Sequence, residues 1–89
     1  MNNRICVVVP TRTMSELTSM MEKVQRAKPD LIEVRMDYLV EDAKPKDIRR
    51  LTEIPLIATN RPGSEGGFFK GSEVKRIDLL LEAAEAGFD

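Results

Sequence analysis

Residues 31 to 37, Leu-Ile-Glu-Val-Arg-Met-Asp, limit the fold more than any other stretch of the chain. Successive side chains of a strand point to opposite faces, so Ile32, Val34 and Met36 form one set, and Leu31, Glu33, Arg35 and Asp37 the other. In an open, doubly wound parallel sheet both strand faces pack on helices and read as continuous apolar runs. In a barrel one face meets the helices and the other points into the lumen, which tolerates charge. The charges gather toward the carboxyl end of the strand, the end at which (β/α)8 barrels build their sites. An edge strand with one wet face, or a structural Glu33–Arg35 ion pair, would satisfy the same pattern.

The rest of the chain alternates strand and helix. Arg4 to Val9 is apolar, β-branched and stopped by Pro10, the pattern of a first strand buried on both faces. Thr13 and Glu16 fit a capping box, and Met14, Leu17, Met21 and Val24 recur at helical spacing until Pro29 forbids continuation. The second strand follows over Asp30 to Arg35. Pro45 suits a helix start, with Ile48, Leu51 and Ile54 as a short apolar stripe. Pro55 to Thr59 reads as a third strand. A glycine-rich loop, NRPGSEGGFFKGS, then leads to Ser72 as N-cap of a third helix, whose expected packing face is Val74, Ile77, Leu81 and Ala84 and whose end is Gly87. The fold class is therefore α/β, a parallel βαβαβα unit with right-handed crossovers. Residues 1–89 read as one domain portion, and the rhythm calls for a fourth strand after Asp89.

Composition excludes several functions. With 14 basic and 15 acidic residues and no basic block, nothing favours nucleic acid or an anionic membrane as partner. No apolar run approaches the roughly 20 residues that span a bilayer, and the amino terminus lacks a signal-peptide pattern, so a cytoplasmic protein is expected. The single cysteine, Cys6, cannot form an intrachain disulfide and reads as core packing within Ile5 to Val9. There is no histidine, which removes Ser/His and Cys/His pairs and the commonest zinc ligand from these residues. A chain of 89 residues buries only about 60–65% of its unfolded surface and supports a large cavity poorly.

Arg61 follows the third strand, and Glu65 comes four residues later in a loop containing four glycines. Two strands thus deliver Glu33, Arg35 and Arg61 toward one mouth. Converging charges cost several kcal/mol each, on the order of 2 or more, when desolvated without partners. A polyhydroxylated anion suits them: arginines offer forked donors, and a carboxylate accepts from hydroxyls.

These residues resemble the type I 3-dehydroquinate dehydratases. The family pattern has a first strand like RICVVVP, an E-x-R-x-D second strand matched by Glu33, Arg35 and Asp37, and R-x-x-x-E-G-G after the third strand, matched by Arg61, Glu65, Gly66 and Gly67. The resemblance covers essentially the whole chain, as the first three βα repeats of a (β/α)8 TIM barrel. It implies a lyase of the shikimate pathway, in aromatic amino-acid biosynthesis, acting on 3-dehydroquinate. Glu33, Arg35 and Arg61 would bind the hydroxyl side of the substrate. Asp37 would support Arg35, and Glu65 would orient a catalytic histidine.

The family chemistry is covalent: a lysine forms a Schiff base with the substrate ketone and a histidine moves the proton. No metal or organic cofactor is implied. Both catalytic groups would lie beyond this stretch, since the six lysines here read as helix or loop residues and Lys70, the nearest, as a solvated charge. The 89 residues alone are therefore expected to be inactive, and to self-associate or form a homodimer through the third strand or the lumen face, since an incomplete barrel exposes both. One departure is the first strand, where some relatives carry a serine and this chain has Val7, Val8 and Val9. Two other readings stand beside this one: a small non-enzymatic module holding an anion in the glycine-rich loop at the third helix, and another Schiff-base barrel such as an aldolase.

Overall fold

The computed structural model describes residues 4–40 and 42–89; residues 1–3 of the expected domain portion lie outside them. Three strands, β1 (Cys6–Val9), β2 (Leu31–Arg35) and β3 (Leu56–Thr59), form a parallel sheet in the order 1-2-3. Helices α1 (Met14–Arg26), α2 (Pro45–Arg49) and α3 (Glu73–Ala86) follow them in turn. Short 3-10 turns occupy Met36–Tyr38 and Gly63–Glu65.

The local signals act as the sequence requires. The Thr13 hydroxyl accepts from the Glu16 amide at 3.2 Å, and Glu16 Oε2 accepts from the Arg12 amide, so the box caps α1. Leu17, Met21 and Val24 are buried beneath it. Pro45 occupies the first turn of α2. Ser72 accepts from the Lys75 amide at α3, and Gly87 takes the left-handed conformation (φ 107°) that returns the Phe88 amide to the Ala83 carbonyl.

Register separates the two sheet faces. Val7 pairs with Ile32 and Ile32 with Leu56, while Val9 pairs with Val34 and Val34 with Ala58, making the apolar layer against the helices. Val9, Ile32, Val34 and Leu56 are buried there with Leu17, Met21 and Ile48. The other face carries Cys6 and Val8, then Leu31, Glu33 and Arg35, then Ile57 and Thr59. Nothing among the described residues covers it, and its apolar members report that directly: Val8 is 48% exposed.

Four expectations need correction. The first strand is not buried on both faces, and Cys6 is exposed rather than packed in the core, because both belong to the uncovered face. Helix α2 stops at Arg49, so it carries Ile48 but neither Leu51 nor Ile54 of the expected stripe. Arg49 Nη2 donates to the Thr52 and Ile54 carbonyls and the Thr52 hydroxyl accepts from the Ile54 amide, local bonds that compete with helix. Leu51 and Ile54 still pack on the core. The expected face of α3 is also outside: Val74, Ile77 and Leu81 are 69, 44 and 57% exposed. It is Ala83, with Leu79, Ala86 and Phe88, that turns to the core, where α3 meets α2 and β3.

Candidate functional site

The sheet's uncovered face becomes polar at its carboxyl end. Glu33 pairs with Ile57 and Arg35 with Thr59, so the two charged residues stand one pleat apart on β2 with β3 alongside. The Thr59 hydroxyl donates to Glu33 Oε2 at 3.0 Å, which leaves the other carboxylate oxygen unengaged among the described residues. Thr59 did not stand out in the sequence; its signal is its parity with Ile57, visible only once the β2–β3 register is known.

Arg35 is held by two neighbours, Asp37 and Tyr38. Its Nε donates to Asp37 Oδ1 at 2.9 Å, its Nη2 donates to Asp37 Oδ2 at 2.6 Å, and its guanidinium lies over the Tyr38 ring, 4.7 Å from the centroid. Asp37 sits in the 3-10 turn with no side-chain exposure, and the Arg35 side chain is 16% exposed. Burial alone would raise the Asp37 pKa, but the Arg35 hydrogen bonds, the Phe68 amide and the guanidinium charge outweigh it and hold the carboxyl below its ordinary value. The reciprocal effect, led by the Asp37 hydrogen bond, raises Arg35. Asp37 thus touches Arg35 directly.

Asp37 has a second partner that the sequence did not reveal. Its Oδ2 accepts the Phe68 amide at 3.1 Å, across 31 residues, and ties the loop after β3 to the end of β2. That loop is folded on itself: Gly67 N donates to Pro62 O and Phe69 N to Arg61 O. A Cβ on Gly67 would overlap the Arg61 carbonyl oxygen and lie 2.5 Å from its carbonyl carbon, so the close approach requires glycine. Gly66 has φ 84° at the end of the Gly63–Glu65 turn. With Gly66 N also donating to Gly63 O, the amides of residues 65–69 are all occupied by protein acceptors, and none of these five is free for an anion.

The remaining expected residues lie on this loop. Arg61 is exposed, two residues beyond the Thr59–Arg35 pair, and its side chain has no ion pair among the described residues. Glu65 is exposed, and its charge acts on Arg76 of α3, adding to the Glu73 hydrogen bond that raises the Arg76 pKa. Arg76 also donates to the Asn60 carbonyl at 3.2 Å while Asn60 Nδ2 donates to the Arg76 carbonyl, a reciprocal link between β3 and α3. Lys70 is exposed, in line with a solvated charge. Among the described residues no group of three potential metal ligands occurs, and no helix is long and apolar enough to cross a membrane.

Parallel βα units with carboxylate and guanidinium groups on one open face, at the carboxyl ends of the strands, define an α/β protein with its polar groups at the end where such folds build their sites. A model of the type I 3-dehydroquinase family matches residues 5–89, and the chain belongs to that family. It is 44% identical over 88 residues to a 3-dehydroquinate dehydratase of Methanothermobacter thermautotrophicus, an alignment covering 96% of this chain and 39% of the relative. A 3-dehydroquinate dehydratase of Coxiella burnetii is 36% identical over 89 residues, covering 97 and 37% respectively. A bifunctional 3-dehydroquinate dehydratase/shikimate dehydrogenase of Arabidopsis thaliana, a chloroplastic protein, is 34% identical over 96% of the chain and 15% of its own length. The chain spans about two-fifths of the single-function relatives it matches.

Proposed function

We propose that these residues are the first three βα repeats of a (β/α)8 barrel that dehydrates 3-dehydroquinate in the shikimate pathway, and that they supply the half of its site that binds the substrate hydroxyls. The observation that carries this reading is the placement of Glu33 and Arg35 on an uncovered sheet face, with Arg35 fixed by Asp37. Glu33 accepts from substrate hydroxyls through its free oxygen, and Arg35 and Arg61 donate to the same side of the ring. Asp37 removes the need to order Arg35 on binding, which lowers the entropic cost. Barrel continuation is supported by the Asp89 amide, which donates to the Leu56 carbonyl at 2.7 Å and brings the chain to the free edge of β3. The open face and the exposed outer side of α3 are surfaces that further βα units would cover. We place the activity in the cytoplasm.

The covalent step needs a lysine amine to form a Schiff base and a histidine to move a proton, and these 89 residues contain no histidine. Glu65 would orient that histidine from the loop rim, exchanging its present interaction with Arg76. Self-association runs through the two free sheet edges, β1 and β3, and the Val8 side of the sheet. The test is an absorbance assay for the conjugated product with borohydride trapping and intact mass. The isolated chain gives no product and no lysine adduct, whereas a chimera joining it to the remaining barrel of the Methanothermobacter relative gives both and loses them with Arg35→Met. Turnover by the isolated chain, traced to one of its lysines, would overturn the assignment, as would a folded but inert chimera.

A further inference from the structure

A groove of about 650 Å³ opens beside the proposed mouth without including Glu33, Arg35, Thr59 or Arg61 in its lining. Its walls are Tyr38, Phe68 and Phe69, and Arg12 and Lys70 stand at its rim. Three loops build it, one after each strand. The Val40 amide donates to the Arg12 carbonyl at 2.9 Å, joining the first two, and the Phe68 amide on Asp37 joins the second to the third. The aromatic surfaces are open: Phe68 is 55% exposed, and its ring meets Tyr38 edge-on at 4.8 Å.

The charge of this groove is one-sided. Among the described residues Asp37 is the only acidic one in its lining, and both of its oxygens are committed to Arg35 and Phe68. The Arg12 guanidinium and the Lys70 ammonium form no ion pair among the described residues, although the Glu16 carboxylate accepts from the Arg12 amide. An aromatic-walled cleft with two unneutralised cations complements a ligand that is flat, apolar and anionic. We propose that this groove is a second binding site, for a small aromatic carboxylate whose ring lies against Tyr38 and Phe68 and whose carboxylate faces Arg12 and Lys70. Because Tyr38 also carries the Arg35 guanidinium on its ring, occupancy is communicated to Arg35. The proposal does not depend on the reaction assigned to the mouth.

The test is a titration of the isotope-labelled chain with sodium benzoate, followed by amide and arginine side-chain resonances, with acetate and benzyl alcohol as controls. Saturable shifts are expected at Tyr38, Leu39, Phe68 and Phe69 and at the Arg35 Nε–H. Benzoate should bind more tightly than either control, and Arg12→Gln and Lys70→Gln, both surface changes, should each weaken it about fivefold. Equal shifts with acetate would reduce the site to an adventitious ion only. Equal binding of benzyl alcohol, unchanged affinity in both variants, or shifts confined to Glu33, Thr59 and Arg61 would also overturn the proposal.

Discussion

Replacing Asp37 by Asn changes one atom and one charge at the point where β2, Arg35 and the loop after β3 meet. The new side chain keeps one acceptor for Arg35 Nε but turns an amide N–H₂ toward Arg35 Nη2 and the Phe68 amide, so donors oppose donors. A hydrogen bond between charged groups contributes about 1.5–3 kcal/mol and one to a backbone amide about 1. Arg35 is 16% exposed and can turn partly to water, which recovers some of the loss. The net expectation is destabilisation by about 2–3 kcal/mol at neutral pH, a large share of the ~5 kcal/mol typical of a chain this small. Urea unfolding followed by far-ultraviolet circular dichroism measures it. The pH dependence supplies an independent check. Asp37 titrates below its ordinary value of 3.8 in the folded protein, so its stabilisation is complete above that value and is withdrawn as pH falls through the depressed folded pKa. The Asn variant has no such carboxylate to lose, and the gap between the two proteins should narrow below about pH 4. A gap under about 0.5 kcal/mol at neutral pH, or one unchanged on acidification, would refute this account of the clamp.

Three further outcomes are expected. Gly67→Ala should force the loop away from the Arg61 carbonyl, lowering stability by about 1–3 kcal/mol and speeding hydrogen exchange at the Phe68 amide; unchanged exchange would show that the close approach is not needed. Leu81→Glu, on the exposed side of α3, should leave the unfolding midpoint of this chain nearly unchanged, within about 0.5 kcal/mol, whereas a large loss would mean that this face is buried after all. Sedimentation velocity should show the chain heavier than a monomer at high concentration, with Val8→Lys shifting it toward monomer; a monomer throughout would remove the self-association.

The punctuation of the chain was legible because single residues decide it. Thr13, Pro45, Ser72 and Gly87 each act on their own backbone, and elements begin or end where they stand, while Pro29 lies three residues past the end of α1. The polar parity of Glu33 and Arg35 was equally local, since a strand's two faces follow from alternation alone. What escaped depends on a second segment. Thr59 acquires its meaning from its register with Arg35, and Phe68 from a contact 31 residues back along the chain. Cys6 and the Val74, Ile77, Leu81 stripe were misplaced for one reason: apolar character marks a surface fit for burial, but whether a neighbour covers it is decided elsewhere. The short α2 escaped because the Arg49 and Thr52 side-chain bonds compete with the helix after the apolar spacing has been read.

The sheet order 1-2-3 sets a timetable for synthesis. Cys6 pairs with Leu31 and Ile32 with Leu56, separations of 25 and 24 residues, so no strand waits for a partner made later than the next βα repeat. Non-local pairing slows folding because loop closure precedes its reward, and here each closure is short. At translation rates of about 5–20 residues per second, each strand has a second or more to dock before the following one leaves the ribosome. The clamp between Asp37 and the Phe68 amide closes only after the third strand has been laid down, so Arg35 stays unfastened to the third loop until then, while α3 and the Asp89–Leu56 bond follow later still.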